Sequence, residues 1–493
     1  MKKTILTAAV LLVVSGSWCQ WATDSVHIAR AGIPIAAIKN KLLLGSSGGN
    51  AWDVFDLQSN VHIYGTFSQS RTETQFAQTG NNAYFGGGKY GYFTDPQYSR
   101  NVDVYNGTTG TWSVLNLSLA RSVGAAAATR DKVLFAGGIG RQDVSGPVYL
   151  YNRVDIFDAS TGARTTAKLT KARTNISVAA VGNKILFAGG WFWDMSYNQV
   201  QTNVVDIYDN STSAWSAGKL SQKRELMAVA VVGGKVLFAG GYNYLSGASR
   251  TVDIYDATTG SWSATQMSAG HYGMHAAVVG SKAYFAGGVE ANNNIEVYDV
   301  GTGTWSIIPM PLNLVNFSTE VFGNNIYFAG GYDATRYSLA REVQVYNTIT
   351  STWSIIYLSQ ARYGISAAAI DGKMIFAGGY TAFGTAPSPS NRLDIYTQPA
   401  AVTTIAANIK QAIATTTIFP NPATDILFIS LDHPVKAGAV VAVYNTNGKL
   451  LLKQQVAAGG RLIKLPVHSL PNAIYVYCLF NGAQQFTGKF VKE

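Results

Sequence analysis

The tetrapeptide Phe-Ala-Gly-Gly recurs six times along this chain, at Phe135–Gly138, Phe187–Gly190, Phe238–Gly241, Phe285–Gly288, Phe328–Gly331 and Phe376–Gly379. Phe85-Gly86-Gly87-Gly88 is a close variant and Leu44-Gly45-Ser46-Ser47 a decayed one. Other residues keep a fixed distance from it. Fourteen positions before each Phe stand Arg71, Arg121, Arg173, Arg224, His271, Leu314 and Arg362, and Arg30 precedes Leu44 by the same interval. Nine positions earlier is an aromatic, usually Trp (Trp112, Trp215, Trp262, Trp305, Trp353). Nine before that is Asp103, Asp155, Asp206, Asp253, Glu296 or Gln344, inside Val-Asp-Ile-Tyr-like segments. Composition cannot produce such a register. The six Phe positions lie 43 to 52 residues apart, which suits a unit of four strands rather than a helical solenoid repeat.

Each repeat reads as four strands. Ile365–Ile370 is small and apolar and suits a crowded inner strand, Lys373–Ala377 ends at the diglycine, and Leu393–Tyr396 is a third strand. The fourth carries Trp, large enough to fill the wedge between neighbouring sheets. Glycine pairs admit positive φ and close backbone approach where the strand turns out. With 50 Gly among 493 residues, 12% aromatic and only 13% charged, the chain is expected to be all-β with an ample core.

Diglycine, Tyr-Asp, Trp and then Arg before the next inner strand resemble the kelch motif, across roughly residues 20–400. The resemblance implies a β-propeller. Departures are Ser46-Ser47 for the diglycine, His62 and Arg164 at Trp positions, and Leu314 at an Arg position. The last repeat stops at Tyr396 without a Trp, while Trp21 and Arg30 keep the nine-residue Trp-to-Arg spacing of Trp353 and Arg362. The segment from Trp21 is therefore expected to supply the missing fourth strand and close the ring, removing exposed edges. The expected fold is an eight-bladed kelch-type propeller, with seven blades as the alternative, followed by a small C-terminal β-sandwich.

The ends carry addresses. Lys2-Lys3, an apolar run and small residues at Ser15–Ser17 read as a secretory signal over 1–19, cleaved after Cys19. No other apolar stretch approaches the ~18 residues of a membrane span, so the mature chain is expected to have no transmembrane segment. The propeller is assigned to 20–397 and an Ala/Thr-rich linker to 398–417. From Ile418 the pattern changes to Phe419-Pro420-Asn421-Pro422-Ala423-Thr424-Asp425, an Asn447-Gly448 turn and a final Gly488–Glu493 strand. Residues 418–493 resemble the C-terminal sorting domain of the type IX secretion system of Bacteroidetes. This implies engagement of that machinery, export across the outer membrane, and a secreted or surface location.

The chemistry is sparse. Net charge is +10, but Lys and Arg are scattered and no nucleic-acid motif accompanies them, so no nucleic-acid partner is expected. Gly45-Ser46-Ser47-Gly48-Gly49 and Gly86–Gly91 match enzyme patterns in spelling only, because neither lies between a parallel strand and a helix. His271 and His275 have no evident third ligand, so no metal is expected. Without a cysteine, the propeller also lacks the cross-link of kelch-like copper sugar oxidases, and no cofactor is expected. No catalytic residue is assigned. An enzyme is the less favoured reading: a sugar-active propeller (sialate mutarotase-like, or a lyase) using Arg, His271 and Glu290 or Asp194. A structural adhesin is a further alternative.

The favoured reading is a ligand-binding face. Arg30, Arg71, Arg121, Arg173, Arg224, His271 and Arg362 lie between a fourth strand and the next inner strand, on the face that also carries the loops after each diglycine. Kelch-like peptide receptors use Arg at the matching position for acidic ligands, and guanidinium forks suit carboxylate or sulfate. The competing expectation is that each Arg bonds carbonyls at its own blade's end. The long loops carry Tyr90, Tyr149 and the run Trp191-Phe192-Trp193, which would stack on sugar rings or anchor a protein. The expected partner is an acidic glycan or an acidic peptide.

Overall fold

The structure is a computed structural model that describes residues 21–45, 48–92, 95–143, 146–289, 293–382, 388–397, 416–431, 434–436, 439–445, 450–481 and 484–493. The expected signal, most of the expected linker, Ser46-Ser47, Glu290 and the Asn447-Gly448 turn lie outside the described residues. No helix occurs among the described residues. The chain divides into two compact units, parted between Pro399 and Ala400.

The larger unit is a β-propeller of four-stranded antiparallel sheets. Eight follow one another, from Ile35–Ile38, Lys41–Leu44, Gly48–Asp56 and Val61–Thr72 to Ser366–Ile370, Lys373–Ala377 and Arg392–Thr397. That last sheet takes its fourth strand from the other end of the chain. Trp21–Ser25 pairs antiparallel with Arg392–Thr397, from Trp21 opposite Tyr396 to Ser25 opposite Arg392. Trp21 packs its ring 5.1 Å from Tyr396, where the other sheets place their own Trp against Tyr. The Ser366 hydroxyl of the eighth inner strand donates to the Ile33 carbonyl just before the first at 2.6 Å, so the ring closes.

The core lies between sheets rather than within them. Leu186, Val205 and Ile207 of the fourth sheet pack with Val236, Phe238, Tyr255 and the partly buried Trp262 of the fifth. The same construction crosses the seam, where Ala368, Ile375 and Leu393 meet Leu42, Leu44 and Phe55. Each fully buried Phe or Leu contributes about 1.5–3 kcal/mol by leaving water, so the repeated Phe is a wedge of hydrophobic free energy at every junction.

The diglycine has a specific cause. Gly137 sits at φ +62°, and a Cβ there would lie 2.5 Å from the Arg173 carbonyl of the next sheet. Gly138 N–H donates to that same carbonyl at 2.9 Å. Gly88, Gly190, Gly241, Gly331 and Gly379 make the equivalent bond at 2.8–3.1 Å. The motif is thus an inter-sheet latch that any side chain would obstruct.

The smaller unit has a three-stranded sheet (Thr416–Phe419, Ile426–Leu431, Leu462–Pro466) and a four-stranded one (Leu450–Gln455, Val440–Asn445, Ala473–Asn481, Gln484–Lys492). Leu427 and Ile429 of the first share one core with Val441, Val443 and Tyr477 of the second, which makes a β-sandwich.

Candidate ligand-binding face

The arginine ring points inward, not outward. Arg30, Arg71, Arg121, Arg173, Arg224, His271 and Arg362 are all buried, at 0–6% exposure. Each Arg meets the third-strand carboxylate of its own sheet: Arg71–Asp103 and Arg224–Asp253 at 2.5 Å, Arg121–Asp155 and Arg173–Asp206 at 2.8 Å, together with Arg30–Asp53 and Arg362–Asp394. Arg121, Arg173 and Arg224 also donate to the carbonyls of Phe135, Phe187 and Phe238 at 3.0–3.1 Å. Burial pushes the Arg30 guanidinium down to about 10. It also lowers Arg121, Arg173, Arg224 and Arg362, and the adjacent carboxylates oppose it.

The carboxylate's other oxygen takes a backbone N–H from the connection three residues before the Arg: Ser118 onto Asp155 at 2.8 Å, Thr170 onto Asp206 at 2.9 Å. In the seventh sheet, where Leu314 replaces Arg, Gln344 replaces Asp. Its amide accepts from Leu312 N–H at 2.8 Å and donates to the Leu312 carbonyl at 3.2 Å. Both charges vanish together, as a structural clamp requires and a ligand contact does not. The expectation that these cations grip a ligand is therefore corrected: desolvated and paired, they hold each connection to its sheet. Their partners stand in the repeat register as Asp103, Asp155, Asp206 and Asp253, but only the fold brings the two together.

The loops after the diglycines do rise from this face. They form two-stranded hairpins: Lys89–Tyr92 with Asp95–Tyr98, Ile139–Arg141 with Val148–Leu150, Trp191–Trp193 with Gln199–Gln201, Tyr242–Asn243 with Gly247–Ala248, and Tyr332–Asp333 with Ser338–Leu339. Their bases bridge to the residue just after the Arg position: Ser122 to Ile139, Thr174 to Trp191, Glu225 to Tyr242. Trp191, Phe192 and Trp193 are half-buried in the stem. The two Trp rings meet edge-on at 5.7 Å, and Lys171 Nζ lies 3.0 Å from the centre of the Phe192 ring. The exposed apolar groups are at the tips instead: Met195, Tyr197, Tyr244, Leu245 and Tyr337, each at least 74% exposed. Tyr197 and Tyr337 hold φ +61° and +54°, a conformation costing about 1–3 kcal/mol outside glycine.

Between the third and fourth of these hairpins runs a groove of about 620 Å³, lined by Tyr197, Asn198, Gln199, Val200, Gln201, Lys223, Asn243, Tyr244 and Leu245. Beneath it Glu225 is buried, its carboxylate occupied by side-chain amides. Oε1 accepts from Gln199 Nε2 at 3.1 Å and Gln201 Nε2 at 2.9 Å, and Oε2 from Asn175 Nδ2 at 2.9 Å. Gln201 Oε1 in turn accepts the Tyr244 N–H at 3.2 Å. None of these polar residues was found from sequence. The available signal was Tyr-Asn-Tyr-Leu after Gly241, a dense apolar cluster in a short polar loop.

The residues considered for catalysis do not converge. Asp194 accepts from Ser196 N–H and Asn198 N–H at 2.8 and 2.9 Å, which turns the hairpin tip and holds its carboxyl below the usual range. His271 is buried at an Arg position. His275 begins an inner strand, near the Phe317 ring. Glu320, unnoticed in the sequence, is the one acidic residue on the eight inner strands, and burial raises its pKa. Among the described residues no cluster of three or more His, Cys, Asp or Glu is placed to hold a metal.

Two family models match the chain. The family described as "Kelch motif" matches residues 223–265 and 314–356, and "Secretion system C-terminal sorting domain" matches 417–493. No curated protein matches the chain. A solved structure titled "Structure of YjhT" aligns with 58% of this chain and 99% of its own, at 16% identity and a TM-score of 0.41. The chain thus carries kelch repeats and a type IX secretion sorting domain, which directs it to the outer-membrane surface or the medium.

Proposed function

We propose that this exported kelch propeller is a binding protein that holds an acidic glycan or acidic peptide against its hairpin face, with the Trp191–Trp193 hairpin and the groove beside it as the contact. The observation that supports this most is the group of exposed apolar tips around a preformed groove. Met195, Tyr197, Tyr244 and Leu245 are 74–103% exposed in a chain whose other aromatics are largely consumed by its wedges. Large apolar groups rimmed by polar ones mark interaction sites, and a rigid propeller holds such loops at fixed separations. The buried arginines contribute by fixing the connections to which the hairpin bases bridge.

Arrays of glycans and acidic peptides probed with the full chain test this reading, beside a Tyr197→Ala/Tyr244→Ala variant. Binding by the parent that the variant loses, with an unchanged melting profile, is the expected outcome. Binding that survives the double change removes the groove from the function.

A further inference from the structure

We infer that the groove between the third and fourth hairpins is a subsite for an anionic polysaccharide, in which Lys171 and Lys223 receive the sugar's carboxylate or sulfate and Tyr197 and Tyr244 carry its ring faces. The inference rests on the binding-face reading above and names its ligand class and contacts.

The charge comes first. Lys223 is exposed on the groove wall. Lys171 is half-buried over Phe192, whose cross-strand partner Val200 lines the same groove. Burial and then repulsion from Lys223 and Arg173 push the Lys171 ammonium down, so the two lysines share one neighbourhood. Neither forms an ion pair with a carboxylate among the described residues. The carboxylates beside the groove are already engaged, Glu225 by three side-chain amides and Asp194 by the Ser196 and Asn198 N–H groups and the Asn198 amide. Two adjacent ammonium groups without a counter-charge, set beside a low-dielectric aromatic wall, form an anion site.

The polar wall selects a sugar over a peptide. An ionised carboxylate offers acceptors only, so Glu225 fixes the Nε2 of Gln199 and of Gln201 toward itself; Gln201 Oε1 is taken by the Tyr244 N–H, which leaves the amide oxygen of the exposed Gln199 for a ligand. Asn198, whose Nδ2 donates to Asp194, adds a second amide oxygen on the groove wall. Hydroxyl-rich chains meet such an array with paired donors and acceptors, and their C–H faces lie on exposed tyrosine rings.

Polygalacturonate and its fully methyl-esterified form share a backbone and differ only in charge. Titration of the full chain with each, at low and high salt, separates the possibilities. The expected result is salt-sensitive binding of the acid form, weakened about tenfold or more by Lys171→Gln/Lys223→Gln, while the ester binds weakly and ignores that change. Tyr244→Ala should weaken both forms. Equal binding of acid and ester, unmoved by the lysine changes yet lost in Tyr244→Ala, overturns the anionic class and leaves the binding groove standing. Tighter binding of poly-glutamate than of any saccharide overturns the sugar assignment. Binding that survives both the lysine and tyrosine changes in a folded chain overturns the groove itself. Thermal melts of every variant exclude misfolding as the cause.

Discussion

Replacing Arg173 by Ala leaves the Asp206 carboxylate buried without its cation, a change that costs about 3–5 kcal/mol. The seventh sheet shows the cure, since Leu314 and Gln344 perform the same structural task without charge. The Arg173→Leu/Asp206→Gln double variant is therefore expected to recover most of what the single change loses. Urea unfolding of both measures it; a double variant as unstable as Arg173→Ala would return these arginines to a functional role. A second prediction concerns Glu320. Burial raises its folded-state pKa above the ordinary value of 4.5, so the folded chain holds this proton more tightly than the unfolded one. Its contribution to stability is full below that ordinary value and is lost as pH rises through the raised one. Glu320→Gln should flatten this decline in melts between about pH 4 and about pH 8, and an unchanged slope would mean another group titrates there.

At the scale of elements, what the sequence disclosed follows what repeats. Phe at seven of the wedges, and Gly-Gly latches and outer-strand Trp in most repeats, answer one demand made around the ring, so their spacing was readable before any coordinate. The closing strand was readable for the same reason, because Trp21 and Arg30 obey the rule of the other repeats. The arginines were misread because charge suggests exposure, and a buried cation is recognisable only beside its partner, some 23 to 34 residues along the chain. The groove was hidden altogether: Gln199 of one hairpin meets Glu225 of the next connection, and no spacing predicts that. The closing strand carries its own prediction. Trp21→Ala removes a half-buried ring that touches Tyr396 and Phe376, at a cost of roughly 2–3 kcal/mol. A calorimetric melt that shifted no more than for a surface substitution would show that the ring does not depend on this strand.

For the whole molecule, a closed ring has no privileged beginning. Thr397 and Trp21 end neighbouring antiparallel strands, so a turn of about four residues joins them. New ends opened at Thr161-Gly162, in the third sheet's outer turn, reproduce the same three-plus-one arrangement elsewhere. This permuted propeller should keep the parent's far-ultraviolet spectrum and melt within a few degrees of it. A permuted chain that fails to fold cooperatively would mean that the native seam does more than close the circle.

That seam also sets a clock. Trp21 and its partner Tyr396 stand 375 residues apart, and at about 5–20 residues per second a ribosome takes roughly 20 to 75 s to make the interval. During that time the first strand has no sheet to join, and the last sheet does not exist. A protein bound for the far side of the outer membrane is thereby an unsealed chain for most of its synthesis, and its geometry postpones completion until the final repeat has been made.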